Sequence, residues 1–222
     1  MGSDYPVNLN LAGRCCVVVG AGPVGLRKVM GLLEAGADVV LIDPELNQID
    51  YPVGIKTVDR AFLDTDLDDA FLVYAATGDR STNQQIAAAA RCRSILVNVV
   101  DDSAESDFVI PASFRKGNLV FSVSTGGVSP AVAVMVRDEV ESLLPGSWQI
   151  FLEIAGILRA RLLTSGDKAT YNQQVLRNLV RGGILAMIDA DDLSGIDRLI
   201  EMEIGEGFSL ADLGVSISKG SP

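Results

Sequence analysis

Three glycines near the N-terminus have the spacing of a phosphate-binding turn. Gly20, Gly22 and Gly25 follow a short apolar run and precede an amphipathic segment. In such a turn the first glycine permits a sharp exit from a strand, the second lets a pyrophosphate approach the backbone, and the third lets the helix pack closely. The free N–H groups and positive dipole end of that helix attract phosphate. The pattern predicts a dinucleotide site, against the alternative of a glycine turn that only joins strand to helix.

An acidic residue stands at the position expected for binding ribose hydroxyls. Asp43 ends a second apolar run, and it lies at about the 20-residue offset that dinucleotide-binding units show. A carboxylate there repels a 2′-phosphate, and Asp43-Pro44-Glu45 contains no basic residue to receive one. The sequence therefore favours NAD over NADP as the cofactor.

The elements that must position these residues alternate along the first half of the chain. Buried apolar runs predict parallel strands, and the segments between them predict helices. We expect strands over residues 14–19, 39–42, 55–58, 71–76 and 95–100, and helices over 26–35 and over 82–92, the latter capped by Ser81. This order predicts an α/β fold with an N-terminal Rossmann-type parallel sheet.

Ligands of open parallel sheets bind outside the carboxyl ends of the strands. Three segments converge at that edge, namely Gly20–Gly25, Thr77–Arg80 and Asn98–Asp102. We therefore expect Thr77 near the cofactor and Asp101 beside a bound dinucleotide. The alternative for Asp101 is a turn or cap residue.

The pattern changes after Asp102. Residues 108–111 and 119–124 predict a hairpin joined by residues 115–118, and Ser129-Pro130 predicts the start of a helix that ends near residue 144. Helical periodicity continues over residues 150–163, 171–180 and 193–202. We expect an NAD-binding Rossmann domain over 1–112, a dimerisation segment over 113–146 and an all-helical domain over 147–222.

Composition excludes several function classes. The net charge of −11 argues against nucleic-acid binding. Histidine is absent, which removes imidazole bases, Ser-His triads and His-ligated metals, so proton transfer needs carboxylates, Lys, Tyr or water. The three cysteines have no metal-ligand spacing and fit a reducing cytoplasm. The uncharged stretch 117–136 contains serines, a proline and paired glycines, so we expect no membrane span. Because histidine is absent and the cysteines lack metal-ligand spacing, we expect no metal site.

Motifs in a fixed order connect these segments to one family. The ordered combination of Asn-Val-Val-Asp, Gly-Gly-x-Ser-Pro and Glu-Ser-Leu-Leu-Pro is specific. The matching stretches are Pro6, Leu9–Leu11, Val19–Val24, Arg27-Lys28, Leu33–Ala37, Ala75–Thr77, Asn83-Gln84, Asn98–Asp101, Phe108–Pro111, Ser124–Pro130, Glu141–Pro145 and Leu158–Arg161. Over about residues 5–163 the chain resembles the siroheme synthase N-terminal module, the precorrin-2 dehydrogenase/sirohydrochlorin ferrochelatase family.

The resemblance implies a homodimeric enzyme of tetrapyrrole biosynthesis that oxidises precorrin-2 to sirohydrochlorin with NAD. In some members the same cavity then inserts ferrous iron. Carried over to this chain, Asp101 is the key functional residue, and the dinucleotide contacts include Pro23, Val24, Pro44 and Glu45. Asp101 is the leading candidate to accept the proton, with positioning of the macrocycle as the alternative.

The substrate implied by the resemblance carries eight carboxylates, so basic residues must gather at the cavity of this acidic chain. Arg137 is the candidate taken as substrate-binding, beside Asn98, Ser124, Thr125 and Gly126. Other candidates are Arg115, Lys116, Arg159 and Arg161, and the alternative for each is a solvated surface position.

Two departures from the family pattern stand out. Thr125 replaces a serine before the paired glycines, which retains a hydroxyl but adds a methyl group. Pro23 and Gly25 replace Asp and Ala of several members. Two alternative functions stay open: a dehydrogenase without chelatase activity, and a regulatory NAD-binding module, which would leave Ser124–Pro130 and Leu158–Arg161 unexplained.

Overall fold

The computed structural model of the protein describes residues 4–46, 49–100, 102–164 and 173–215. The chain divides into two compact units, Met1–Ile110 and Pro111–Pro222. The further division of the second unit into a dimerisation segment and a helical domain stays a prediction.

The first unit is built on a five-stranded parallel sheet with the order β3-β2-β1-β4-β5. The order reverses direction at β1, so the second half of the unit begins with β4 on the other side of β1. The strands are β1 (Cys15–Val19), β2 (Asp38–Ile42), β3 (Lys56–Val58), β4 (Leu72–Ala75) and β5 (Leu96–Val99). The predicted Rossmann-type sheet is confirmed.

Each face of this sheet is covered, which explains the continuous apolar runs of its strands. Helix α1 (Pro23–Glu34) packs on one face, where Cys16 and Val18 meet its residues Val29 and Leu32. Helix α2 (Arg80–Cys92) packs on the other face, against the core that contains Val17, Val19 and Val73. Cys15 and Cys16 therefore point to opposite faces, as predicted.

The start of α2 differs from the prediction. The helix begins at Arg80, and its N-cap is Asp79, whose carboxylate accepts a hydrogen bond from the Thr82 N–H at 2.8 Å. The predicted cap, Ser81, lies inside the first turn and donates its hydroxyl to Asp79 at 2.6 Å. The prediction of Ser81 was wrong because the helix starts at Arg80 and not at residue 82, which places Asp79 at the N-cap and Ser81 inside the first turn.

The second unit opens with an antiparallel hairpin of β6 (Ala112–Lys116) and β7 (Leu119–Val123). The predicted first strand at 108–111 was wrong, since pairing starts at Ala112 and only residues 117–118 form the turn. Phe108 instead packs its ring edge-on against Tyr74, with centroids 5.6 Å apart. Its apolar character serves side-chain packing within the first unit.

Helices make up the rest of the second unit. Helix α3 (Pro130–Leu143) begins as predicted, with Ser129 as N-cap and Pro130 in the first turn. The helices that follow are α4 (Ser147–Thr164), α5 (Gln173–Arg181), α6 (Ile184–Asp189), α7 (Leu193–Ile204) and α8 (Leu210–Leu213). The sequence did not predict α6 or α8. Their apolar residues complete a core around Ile154, Leu158 and Ile196.

Among the described residues, no helix is both long enough and apolar enough to cross a bilayer. The uncharged stretch 117–136 instead forms a hairpin turn, strand β7, a loop and the first half of α3.

Candidate functional site

The carboxyl ends of β1 and β4 lie side by side, because Val19 pairs with Ala75 in the parallel register. The sheet order reverses between these two strands, and such a switch point opens a crevice in which α/β proteins bind ligands. The glycine-rich turn leaves β1 here, and the loop that carries Thr77 leaves β4 here. The structure thus brings the predicted turn to the expected edge of the sheet.

Two of the three glycines are required by close backbone contacts. A Cβ atom on Gly25 would lie 1.9 Å from the Gly20 carbonyl oxygen, and one on Gly20 would lie 2.4 Å from the Ala76 carbonyl oxygen. Gly20 also has a φ of 103°, a conformation that favours glycine. These contacts hold the turn against both α1 and the end of β4.

Gly22 differs from the other two glycines because the space around it is open. A Cβ atom there would meet nothing within 4 Å, and its φ of −66° is ordinary for any residue. Gly22 is the N-cap of α1, and Pro23 opens the first turn. Because Gly22 has no capping side chain, the first-turn N–H groups, including that of Val24, are the kind of donors that bind phosphate at a helix N-terminus.

Asp43 is bonded directly to this turn. Its Oδ2 accepts a hydrogen bond from the Ala21 N–H at 2.8 Å, and its Oδ1 accepts one from the Glu45 N–H at 2.8 Å. The half-buried carboxylate therefore joins the end of β2 to the turn, while each oxygen keeps a lone pair for a ribose hydroxyl. Pro44 and Glu45 are exposed beside it.

The loop after β4 is shaped by Asn83, a residue of α2 that is buried to 7% exposure. Its Oδ1 accepts hydrogen bonds from the Thr77 hydroxyl at 2.7 Å and from the Thr77 N–H at 3.2 Å. Its Nδ2 donates to the Thr77 carbonyl at 3.1 Å. The Thr77 hydroxyl also lies 3.0 Å from the Asp79 carbonyl oxygen, so Thr77 is held at the crevice by both Asn83 and Asp79. Sequence reasoning included Asn83 only within the family resemblance.

Asp79 anchors the same loop to α2. Hydrogen bonds from the Ser81 and Thr82 side chains, together with the Thr82 N–H, hold the pKa of Asp79 at about 2. The group stays ionised at physiological pH, and it fixes the first turn of α2.

The outer edge of β5 is bonded by the segment 106–108, through side chains and the Asp107 backbone N–H. Asp107 accepts from the Val97 N–H at 2.9 Å, and Ser106 accepts from the Val99 N–H at 2.9 Å. Asn98 donates its Nδ2 to the Phe108 carbonyl at 2.8 Å. Sequence reasoning missed the first two residues, because acidic and hydroxyl residues in a loop give no signal of edge pairing. Asn98 lies where predicted, and its amide secures the 106–108 segment.

A cationic side chain lies on the α1 face of the sheet. Lys28 Nζ is 5.5 Å from the ring centroid of Tyr74, a cation–π distance. Burial lowers the pKa of Lys28, and the Arg27 charge adds to that effect.

Asp101, the predicted catalytic residue, lies outside the described residues. The residues on either side of it are described: Val100 donates its N–H to the Ala75 carbonyl at 3.0 Å, and Asp102 donates its N–H to the Val99 carbonyl at 3.2 Å. Its role stays a prediction.

Three predicted substrate residues of the second unit, Ser124, Thr125 and Gly126, lie in one loop before α3. The Thr125 hydroxyl accepts from the Ser129 N–H at 3.2 Å and donates to the Ser129 carbonyl at 3.0 Å. The Ser124 hydroxyl accepts from the Gly126 N–H at 3.2 Å. Gly126 and Gly127 have φ values of 60° and 78° and are exposed. These bonds give both hydroxyls a part in shaping the loop.

Several predicted basic residues are engaged within the second unit. Lys116 donates to the carbonyls of Glu141, at 3.0 Å, and Leu144 at the end of α3. Arg161 donates to the Asp212 carbonyl, and Arg137 on α3 pairs with Asp138, with Nε at 2.8 Å from Oδ1. The structure therefore gives these three residues structural contacts, and the gathering of basic residues at a cavity stays a prediction.

Comparison with known proteins agrees with this architecture. A family model described as "Putative NAD(P)-binding" matches residues 7–112. Siroheme synthase of Photobacterium profundum is 39% identical over 164 residues, covering 72% of this chain and 35% of that protein. Siroheme synthase 1 of Cronobacter sakazakii is 32% identical over 203 residues, covering 90% and 43%. The chain belongs to the siroheme synthase N-terminal module family.

The chain spans less than half the length of these relatives. A solved structure named "SirC, precorrin-2 dehydrogenase" superposes with a TM-score of 0.62 at 23% identity, covering 90% of this chain and 98% of that one. At this identity the likeness confirms the fold, namely the Rossmann-type sheet followed by a largely helical region. The family match and the geometry of the turn identify the first unit as a nicotinamide-dinucleotide-binding domain.

Substitutions at Gly25 and Gly22 should distinguish the effect of the turn on stability from its effect on cofactor binding. We expect Gly25→Ala to lower the free energy of unfolding by about 3 kcal/mol, because its methyl group would overlap the Gly20 carbonyl. Gly22→Ala should stay within about 1 kcal/mol of wild type and weaken NAD⁺ binding about tenfold. Urea unfolding and calorimetric titration measure the two effects. Equal stability of both variants would contradict the assigned close contact.

The carboxylate of Asp43 should set the choice of nucleotide. We expect Asp43→Asn to weaken NAD⁺ binding about tenfold and to reduce the preference for NAD⁺ over NADP⁺, because an amide neither attracts the ribose hydroxyls as strongly nor repels a 2′-phosphate. Titration calorimetry with both nucleotides measures the ratio. Asp38→Asn, at the exposed opposite end of β2, is the matched control. An unchanged ratio in Asp43→Asn would rule out this role.

Proposed function

We propose that this chain oxidises precorrin-2 to sirohydrochlorin with NAD⁺ as hydride acceptor, a step of siroheme biosynthesis. The observation that carries the proposal is the switch-point crevice between β1 and β4, built by the glycine-rich turn and Asp43 in a chain of the siroheme synthase family. Bound dinucleotide supplies the hydride acceptor. The chain's own residues position it and provide for the proton.

The turn and Asp43 favour NAD over NADP. The Asp43 carboxylate, held by two backbone N–H groups, presents negative charge at the end of β2, and the neighbouring Pro44 and Glu45 add no cation. A ribose with free hydroxyls can donate to this carboxylate, whereas a 2′-phosphate would be repelled. Pro23, Val24, Pro44, Glu45 and Thr77 are the further cofactor contacts of the proposal.

Asp101 is the proposed proton acceptor. Each oxidation releases a proton as the hydride leaves, and the chain has no histidine to take it. Asp101 lies two residues after the end of β5, and the described residues beside it are bonded to the end of β4 and to β5. A carboxylate at this position also favours the positive charge that develops on the macrocycle when hydride departs.

The active form in this proposal is a homodimer formed through the hairpin and α3. Helix α3 exposes Met135 at 68%, Leu143 at 69%, and three valines between 40% and 47%. A two-stranded hairpin leaves both of its edges open for further pairing. An apolar helix face beside open strand edges fits a second copy of the same chain.

Iron insertion after the oxidation is the finer part of the proposal. The relatives are named siroheme synthase, and siroheme is the ferrous complex of sirohydrochlorin. The macrocycle nitrogens would hold Fe²⁺, with a carboxylate receiving the pyrrole protons. We also propose a cytoplasmic location, supported by three cysteines that are all free thiols.

The test is an anaerobic assay of the purified full chain with precorrin-2 and NAD⁺. We expect NADH and sirohydrochlorin to form together in equal amounts, with NADP⁺ a much poorer acceptor. A second phase with Fe²⁺ and sirohydrochlorin, compared with the uncatalysed rate, tests chelation separately. Binding of NAD⁺ without any NADH formation would reject the proposed oxidation and favour a regulatory module.

The same assay tests Asp101. Asp101→Asn should lower kcat at least about 100-fold, because the amide cannot accept a proton, while the Kd of NAD⁺ stays unchanged. Asp69→Asn, an exposed aspartate before β4, is the control and should keep wild-type kcat. Normal turnover by Asp101→Asn would exclude it as the base.

A further inference from the structure

An open cavity of about 410 Å³ lies at the carboxyl edge of the first unit, between the start of α2 and the end of β5. We call it the α2–β5 cavity, and its walls include Gly78, Arg80, Gln84, Val99 and Asp102. One of its walls is the loop after β4, and the same loop borders the dinucleotide crevice. The volume of the cavity is at the small end of the range for ligand pockets. The cavity is therefore suited to one peripheral group of a large ligand and not to the whole ligand.

The cavity carries an exposed guanidinium group. The Arg80 side chain is 82% exposed, and its Nη2 lies 3.7 Å from Asp102 Oδ2, which is beyond hydrogen-bond distance. Exposed ion pairs of this kind hold their partners weakly. Arg80 can therefore exchange Asp102 for the carboxylate of a ligand.

Other arginines of this unit are bound more closely. Arg60 pairs with Asp66 at 2.6 Å, Arg91 with Glu105 at 2.7 Å, and Arg93 with Asp68 at 3.2 Å. The Arg91 pair also offsets the negative charge that Glu105 brings to the cavity wall. Arg80 thus stands out as the guanidinium at this edge with the loosest ion pair.

The residues around Arg80 are held in place by hydrogen bonds and offer a second donor for a carboxylate. Its backbone begins α2, directly after the Asp79 cap that binds Ser81 and Thr82. Gln84 follows one helical turn later, so its amide lies on the same face and also lines the cavity. A guanidinium and an amide N–H on one wall match the two oxygens of a carboxylate.

We propose that the α2–β5 cavity binds one peripheral carboxylate of the tetrapyrrole and that Arg80 is its specificity-determining residue. This inference rests on the proposed function. The acid side chain takes the place of Asp102 beside Arg80 and accepts hydrogen bonds from the guanidinium. The anchored side chain then fixes how the macrocycle is presented to the neighbouring crevice.

The test compares Arg80→Gln and Arg80→Lys with wild type. We expect Arg80→Gln to raise the KM for precorrin-2 about tenfold, with kcat and the KM for NAD⁺ within twofold, and Arg80→Lys to lie between. Equilibrium binding of sirohydrochlorin, followed by its absorbance, should weaken by a similar factor. Added salt should weaken binding more in wild type than in Arg80→Gln. Arg93→Gln, at the other end of α2, is the matched control.

The outcomes separate the two proposals. Wild-type enzyme without turnover rejects the oxidation, while the sirohydrochlorin titration still decides the role of Arg80. An unchanged KM and Kd in Arg80→Gln would overturn the carboxylate site. A raised KM for NAD⁺ would assign the cavity to the cofactor, and equal losses in both Arg80 variants with a lowered melting temperature would assign Arg80 a structural role. Each of these three results for the Arg80 variants would overturn the proposed carboxylate site.

Discussion

The close approach of three backbone segments at the switch point is the constraint on which the remaining features depend. The Gly20 carbonyl lies where a Cβ of Gly25 would be, and Gly20 itself lies against the carbonyl of Ala76. Because Gly20 and Gly25 have no side chains, the start of α1 packs directly on the backbone at the end of β1. The same backbone packs on the loop that follows β4. The N-terminus of α1 and the loop of Thr77 therefore border one crevice. A looser turn would separate the phosphate-binding end from the region where chemistry occurs.

Charged side chains of different sign lie at the ends of neighbouring strands along this edge of the sheet. The Asp43 carboxylate bonds to the turn and gives the end of β2 a negative charge suited to ribose hydroxyls. Asp79 stays ionised through its helix cap and orders the loop after β4. At the end of β5, Arg80 brings a loosely held positive charge. Although the net charge of the chain is −11, this edge therefore carries a local cation that suits the acidic substrate proposed for it.

The sequence predicted the features set by local patterns and missed those set by contacts distant along the chain. Continuous apolar runs predicted β1, β2, β4 and β5, since burial on both faces requires them, and the short segment 55–58 predicted the edge strand β3. The cap of α2 was misplaced at Ser81 instead of Asp79, because both types cap helices and only geometry decides between them. The strand expected at 108–111 was absent, since Phe108 packs on Tyr74. Lys116 was a candidate for substrate binding, with a solvated surface position as the alternative, and its contacts with the carbonyls of Glu141 and Leu144, 25 or more residues away, could not be predicted from local pattern.

A crystal structure of the protein with NAD⁺ would show whether a dinucleotide lies across this switch point. We expect the pyrophosphate over Gly22 at the N-terminus of α1, a ribose hydroxyl within hydrogen-bond distance of Asp43, and the nicotinamide beyond Thr77 toward the end of β5. A pyrophosphate bound away from the glycine-rich turn, or an adenosine ribose without contact to Asp43, would contradict this expectation.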